Sequence, residues 1–344
     1  MSVALFTLGG TISMAGAAEG GGASGVVSRL TGGDLTAAVP GLADLGVPLD
    51  VRDVQAVPSS NLTFPQMLDL VEAASRAVAD GAVGVVVTQG TDTLEETAFL
   101  VDLIWRHPEP FVLTGAMRNP TLAGPDGPAN LLAAAQIAAS PPARGLGALV
   151  AFNDEIHAAR WVRKTHSTST ATFASPNLGP IGQVIEGQVR ILVRPPRPEP
   201  LPNRNGTALL GGTALLDATA LLDVARVGLY TVVLDDDGVL LDGLDRTHQG
   251  LVVAGFGVGH VPSALAPVLG SLADRIPVVL TSRTGAGSVL RKTYSAVGSE
   301  SDLQRRGLIN GGLLDPYKAR ILLRLLLAAG ADRDDIAAAF ARHG

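Results

Sequence analysis

The stretch Val83–Trp105, VGVVVTQGTDTLEETAFLVDLIW, carries three different local signals in a row. Apart from Gly84, residues Val83 to Thr88 are all β-branched, the composition of a parallel strand buried on both faces. Gln89-Gly90-Thr91-Asp92-Thr93 then breaks the run with a glycine and short polar side chains. From there Leu94, Ala98, Val101 and Trp105 fall on one helical face. Strand, polar turn and helix together form the repeating unit of a parallel α/β sheet, whose ligands collect beyond the carboxyl ends of the strands.

Working outward, the same alternation continues in both directions. Val3–Leu8 is a short apolar run ending in Gly9-Gly10 and reads as a first strand. Thr31–Val39 reads as a helix stopped by Pro40 and Gly41, Leu49–Val57 as a strand, and Phe64–Ala79 as a helix with Met67, Leu68, Val71, Ala74 and Val78 on one face. Phe111–Thr114 and Leu146–Phe152 are further strands, with a helix over Ala129–Ala139 between them. This order implies a doubly wound, mostly parallel sheet with right-handed crossovers. Pro195, Pro196, Pro198, Pro200 and Pro202 then rule out regular structure and mark a stiff, exposed linker. Beyond it, strands at Leu229–Leu234, Leu251–Phe256 and Pro277–Thr281 and helices at Pro262–Ala273, Pro316–Ala328 and Arg333–Arg342 make a smaller α/β domain. The expected organisation is an N-terminal domain over 1–193, a linker over 194–206 and a C-terminal domain over 207–344.

Composition narrows the chemistry. The chain has 344 residues, a formal net charge of -6, 47% hydrophobic residues and 17% charged residues, the opposite of a disordered composition. It has no cysteine, which excludes disulfides, thiolate catalysis, iron–sulfur clusters and cysteine-bound zinc. The acidic balance without basic blocks argues against nucleic acid as a partner. No run reaches the ~18 apolar residues of a membrane span. Met1 to Gly10 has no basic segment before its apolar stretch, so a cytoplasmic protein is expected rather than a secreted one. Of the 26 basic residues only Lys164, Lys292 and Lys318 are lysine. A lysine kept where arginine is otherwise the rule draws attention, because lysine can give up its proton when buried and arginine cannot.

Two strand ends share one pattern. Val3–Leu8 runs into Gly9-Gly10-Thr11, and Val83–Thr88 runs into Gln89-Gly90-Thr91-Asp92-Thr93. In each, a glycine allows close backbone approach and a threonine hydroxyl follows. The second opens a helix, whose free N–H groups favour a carboxylate or a developing oxyanion. Taken alone, Asp92 with Glu95, or Thr93 with Glu96, equally fits a helix cap with a capping box. A third candidate is the hydroxyl-rich segment Arg163–Thr170, which reads as a loop and carries Lys164, a possible base for a threonine hydroxyl. Gly20–Gly25 fits a dinucleotide fingerprint formally, but no strand precedes it, and it reads as a loop. Gly255–Gly259 lacks the dinucleotide spacing. The six histidines are scattered without metal-ligand spacing, so no metal site is expected. Asp235-Asp236-Asp237 before Gly238 reads as a turn with a solvated charge cluster.

With these residues in view, Leu5–Ser13 (LFTLGGTIS) and Thr88–Ala98 (TQGTDTLEETA) resemble the two signature segments of the bacterial asparaginase/glutaminase family, of the type 1 kind. Ser59-Ser60-Asn61-Leu62, Thr114–Arg118, Lys164 with Ala171-Thr172-Phe173, and Asp315–Arg320 extend the likeness over nearly the whole chain in order. The resemblance implies an L-asparagine amidohydrolase that needs no cofactor, releases aspartate and ammonia, and assembles as a homodimer or homotetramer. It implies Thr11 as nucleophile and Thr91, Asp92 and Lys164 as the second catalytic group. Ser59 would hold the substrate α-carboxylate and Asp92 its α-amino group, with Ser60, Gly90 and Thr91 lining the same pocket. Glu300, seven residues before Gly307, matches the glutamate that a neighbouring subunit lends to the α-amino group. His260 stands where many members have asparagine.

The chain also departs from the family. Leu8 replaces a threonine, and Ser60 stands where some members have glutamine, a change that bears on asparagine against glutamine preference. The segment Ala15–Leu30 lacks the tyrosine that usually assists the nucleophile; Gly25 has its spacing, and Tyr294 is a candidate substitute. Two other functions share the fold. An amidotransferase subunit would normally bring an extra N-terminal region, whereas this chain starts at its first strand. A non-catalytic amino-acid sensor would have lost Thr11, Thr91 or Lys164, and all three are present.

Overall fold

The computed structural model describes residues 1–16, 26–28, 30–201 and 225–344. Gly20–Gly25 and most of Ala15–Leu30 lie outside the described residues, as do 202–206 of the proline-rich run and the first residues of the expected C-terminal domain. The described chain separates into two compact units, Met1–Pro200 and Leu201–Gly344.

The first unit contains β1 (Ser2–Thr7), β2 (Met14–Gly16), β3 (Val26–Ser28), β4 (Leu49–Asp53), β5 (Ala82–Thr88), β6 (Phe111–Thr114), β7 (Ala148–Phe152), β8 (Glu155–Ala158), β9 (Arg163–Lys164), β10 (Phe173–Ala174), β11 (Gly182–Ile185) and β12 (Gln188–Ile191). Its helices are α1 (Gly32–Ala37), α2 (Phe64–Ala79), α3 (Leu94–Ile104) and α4 (Gly127–Ala139). Eight strands form one sheet in the order β12-β11-β8-β7-β6-β5-β1-β4. The run β4-β1-β5-β6-β7 is parallel, and β7-β8-β11-β12 is antiparallel. The doubly wound, mostly parallel sheet expected from the sequence is therefore present, with an antiparallel extension that sequence reading did not find.

The central strands are apolar on both sides because both faces are covered. Val3, Leu5, Val86 and Val112 join Leu35 of α1 and Leu131 and Ala134 of α4 in one buried core. The alternate residues face the other layer, where Trp105, just after α3, packs edge-on to Phe111 at 5.1 Å. Local chemistry fixes the ends of the helices. Thr31 and Asp34 make a reciprocal capping box at α1, and Thr63 and Gln66 make another at α2, with Pro65 in its first turn. The reversal from β7 to β8 uses Asn153 and Asp154, both with positive φ (53° and 60°). Lys164, read as part of a loop, instead lies on β9, paired antiparallel with Phe173 of β10.

The second unit holds a parallel sheet of β13 (Val227–Thr231), β14 (Gly250–Gly255), β15 (Val278–Ser282) and β16 (Ile309–Asn310), in that order. Around it lie α5 (Leu265–Ala273), α6 (Glu300–Arg305), α7 (Pro316–Ala328) and α8 (Arg333–His343). Asp315 caps α7 by accepting from the N–H groups of Tyr317 and Lys318. The same carboxylate lies 3.5 Å from the fully buried Lys318 ammonium, which accounts for that lysine as a structural residue.

The aspartate triplet requires a correction. Asp236 is not solvated: it is buried and accepts from the Tyr230 hydroxyl and from the N–H groups of Val233 and Gly238. Burial works against its charge, but these donors hold the carboxyl below its ordinary range. The turn is thus organised around an internal carboxylate, a device that charge counting cannot see.

Candidate active site

The parallel register of β1 and β5, Thr7 opposite Thr88, places their carboxyl-end turns side by side. Leu8 N–H still donates to Thr88 O at 2.9 Å, and then both chains leave the sheet. Gly10 takes φ 91° and ψ -175°, a conformation open only to glycine. A Cβ at Gly10 would come within 2.3 Å of Gly90 N, and one at Gly90 within 2.7 Å of Ser59 Oγ. Glycine is needed at both places because Gly10 meets the backbone of Gln89 and Gly90, and Gly90 in turn meets the Ser59 side chain.

Ser59, buried on a single helical turn Ser59–Asn61, ties the cluster together. Its Oγ accepts from Asp92 N–H at 3.2 Å, and its carbonyl accepts from the Thr93 hydroxyl at 3.0 Å. Thr93 is therefore engaged with Ser59 and provides no side-chain cap to α3. The capping-box reading of Thr93-Glu96 and Asp92-Glu95 is not the arrangement adopted.

Lys164 reaches this cluster from β9. Its Nζ donates to Thr91 Oγ1 at 2.9 Å and to Asp92 Oδ1 at 2.8 Å. Thr91 is buried, the Lys164 side chain is 16% exposed, and the Asp92 side chain is 69% exposed. The order runs from interior hydroxyl through ammonium to a carboxylate in solvent. Thr11 opens a turn over Thr11–Ser13 and is half-buried. Its hydroxyl makes no side-chain hydrogen bond with another described residue. Ser60 is exposed beside Ser59. Among the described residues no group of three His, Asp or Glu is placed to hold a metal.

Glu300, in the second unit, has a different setting. It is fully buried, with Oε1 accepting from Thr293 and Tyr294 N–H groups at 2.8 and 2.9 Å. His260 Nε2 lies 3.2 Å from Oε2, and the Tyr294 ring stands edge-on to His260 at 4.8 Å. Burial opposes the charge of Glu300, but the backbone donors and His260 hold its carboxyl below the usual range.

Sequence reading missed three supporting residues. Gln89 is buried and donates from Nε2 to Thr97 Oγ1 at 3.1 Å. Thr93 and Glu95 were weighed only as caps, yet Glu95 is buried and its Oε2 accepts from Lys164 N–H at 3.2 Å. No sequence signal singled out Glu95, because Glu96 shares the first turn of α3.

The chain as a whole is similar to known proteins. Residues 2–197 match the asparaginase N-terminal domain model, and residues 226–340 match the glutaminase/asparaginase C-terminal domain model. The chain is 36% identical to a probable L-asparaginase of Deinococcus radiodurans over 307 residues, 88% of each chain. It is 31% identical to L-asparaginase 2 of Escherichia coli over 351 residues, covering 99% of this chain and 93% of the other. A solved structure described as a probable cytoplasmic L-asparaginase from Campylobacter jejuni superposes with a TM-score of 0.83 at 31% identity and covers 99% of both chains. By family models over both units and by relatives along its length, this chain belongs to the asparaginase family.

Proposed function

We propose that the protein is an L-asparagine amidohydrolase acting through a threonine nucleophile. The observation that carries this reading is the Lys164 ammonium, in hydrogen-bond contact with Thr91 Oγ1 and Asp92 Oδ1 on the turn that packs against Gly10, next to Thr11. In acylation the Thr11 hydroxyl oxygen attacks the side-chain amide carbon. Its proton goes to the leaving nitrogen, which departs as ammonia and leaves a Thr11 ester. In deacylation a water oxygen attacks the ester; the Thr91–Lys164 pair relays the proton, and aspartate leaves as Thr11 regains its hydrogen. No cofactor is required in either step.

Ser59 and Gly90 are assigned to the α-carboxylate, and Asp92 to the α-amino group. The exposed carboxylate of Asp92 and the buried Ser59 next to it support that division. Glu300 is assigned to the α-amino group of substrate held by a second copy, and to serve it must turn from its His260 contact. Self-association as a dimer or tetramer is supported by Val233, Leu234, Val239 and Leu240, exposed apolar residues around the ordered Asp236 turn. Ser60, where a longer amide side chain is the alternative, leaves room for minor glutaminase activity. The cytoplasmic assignment is supported by the description of the Campylobacter jejuni structure; a Haemophilus influenzae relative, 32% identical over 338 residues, is named periplasmic. No described helix is long and apolar enough to cross a membrane.

Ammonia release from asparagine and glutamine by purified protein tests the reading. Asparagine turnover well above glutamine turnover is expected, and no release from either at millimolar substrate overturns it. Tyr294→Phe tests the proposed substitute for the missing loop tyrosine: an unchanged kcat removes Tyr294 from the reaction.

A further inference from the structure

We infer that Glu95 is a positioning residue that sets the reach of Lys164, and this inference rests on the reading of Lys164 as part of the reaction. Glu95 lies in the first turn of α3, and Thr91 lies in the turn that leads into it. The two residues hold opposite ends of Lys164. Thr91 Oγ1 accepts from its ammonium at 2.9 Å, and Glu95 Oε2 accepts from its backbone N–H at 3.2 Å.

The need for such a grip follows from where Lys164 sits. Its strand, Arg163–Lys164, has two residues and pairs only with Phe173–Ala174 among the described residues. A two-residue hairpin ladder is weak support by itself, because so short a strand pair is not independently stable. The turn that carries Thr91 is, by contrast, locked to the central sheet and to Ser59. A buried carboxylate joining the second element to the first fixes the Lys164 backbone to within hydrogen-bond tolerance of its target. A lysine has four rotatable side-chain bonds, so with its backbone held in place fewer conformations compete with the one that makes both ammonium contacts. Glu95 also lies in the first turn of α3, where a negative charge is favoured by the helix N-terminus, so the acid is stable in the place the contact needs.

The test compares Glu95→Ala, Glu95→Gln and Glu95→Asp in the full-length protein. Two readouts are used: kcat and KM for asparagine, and hydrogen exchange at the Lys164 amide, which does not depend on activity. Glu95→Gln keeps an acceptor oxygen at the same reach and is expected to retain kcat within about 3-fold and the Lys164 amide protection. Glu95→Ala is expected to lose that protection and to lower kcat by about 10-fold or more, with KM within about 3-fold. If Glu95→Ala does not fold, Glu95→Asp, one methylene shorter, takes its place with the same expectation. Equal loss of kcat in Glu95→Gln and Glu95→Ala would assign Glu95 a charge role and overturn positioning. Retained amide protection in a folded Glu95→Ala or Glu95→Asp would overturn it as well. A wild type that releases no ammonia sinks the asparaginase reading, a result distinguishable because amide exchange still reports the contact.

Discussion

Gly10 lies so close to Gly90 that a Cβ on Gly10 would come 2.3 Å from the Gly90 nitrogen. That contact joins the turn after β1 to the turn after β5, and with them Thr11 to Thr91. Gly10→Ala meets two obstacles at once, the clash and a backbone of φ 91° and ψ -175° that alanine resists. A loss of about 3 kcal/mol is expected, from strain of about 1–3 kcal/mol and overpacking of similar size. Urea unfolding measures it, and activity should fall further than stability because the strain lies beside the nucleophile.

Lys164→Met should lower kcat by about 10²- to 10⁴-fold, the usual worth of a positioned proton-transfer group, with the fold intact. Lys164→Arg should not rescue it, since a planar guanidinium cannot replace a compact ammonium between Thr91 Oγ1 and Asp92 Oδ1. Steady-state kinetics on both variants, with circular dichroism as a control for folding, decides the point.

Stability should fall in mild acid, and His157 identifies one cause. Burial pushes this imidazole down to about 4 from an ordinary 6.5. Its Nδ1 lies 3.0 Å from Ser175 Oγ, while Glu155 Oε2, 3.2 Å from Nε2, is out of line for a hydrogen bond. The unfolded chain then binds the extra proton first, so stability declines as pH falls from 6.5 toward 4 and levels off below. Between pH 7 and pH 5 the loss from this residue is up to about 2 kcal/mol. Glu300, held below its ordinary range, acts in the same direction at lower pH: its stabilisation is present above its unfolded value and disappears as pH falls through its folded one. Urea midpoints at pH 7 and pH 5 for wild type and His157→Gln check this. The variant should show the smaller drop.

Asp236→Ala should destabilise the second unit by about 2 kcal/mol, because three donors, Tyr230 OH and the Val233 and Gly238 N–H groups, lose their acceptor. Asp236→Asn keeps an acceptor oxygen and should cost less. Thermal unfolding of the two variants separates them, and equal shifts would count against the internal-carboxylate description.

The sequence made some elements plain and hid others for physical reasons. Helix α2, Phe64–Ala79, was legible at both ends because its apolar spacing sits inside one short window closed by Gly81. The strand-turn-helix at Thr88–Leu94 was legible for the same reason. Strands β8, β11 and β12 were not: each has four residues, and the turn between β7 and β8 uses Asn153-Asp154 rather than a glycine pair. Within the site, Thr11, Thr91, Asp92 and Lys164 were named from motifs, and the last three prove to be in contact. Glu95 could not be assigned from spacing, since its partner is 69 residues away along the chain. The local capping interpretation of Thr93 failed because Ser59, brought in by another segment, competes for its hydroxyl.

The most direct test is the initial rate of ammonia release from L-asparagine by the wild-type protein and by Thr11→Ala, measured side by side. Expected are equimolar ammonia and aspartate from the wild type and a loss of about 10³-fold or more in Thr11→Ala, whose nucleophile is gone. A wild type without turnover at millimolar asparagine, or a Thr11→Ala variant with full activity, would contradict the reaction assigned to this site.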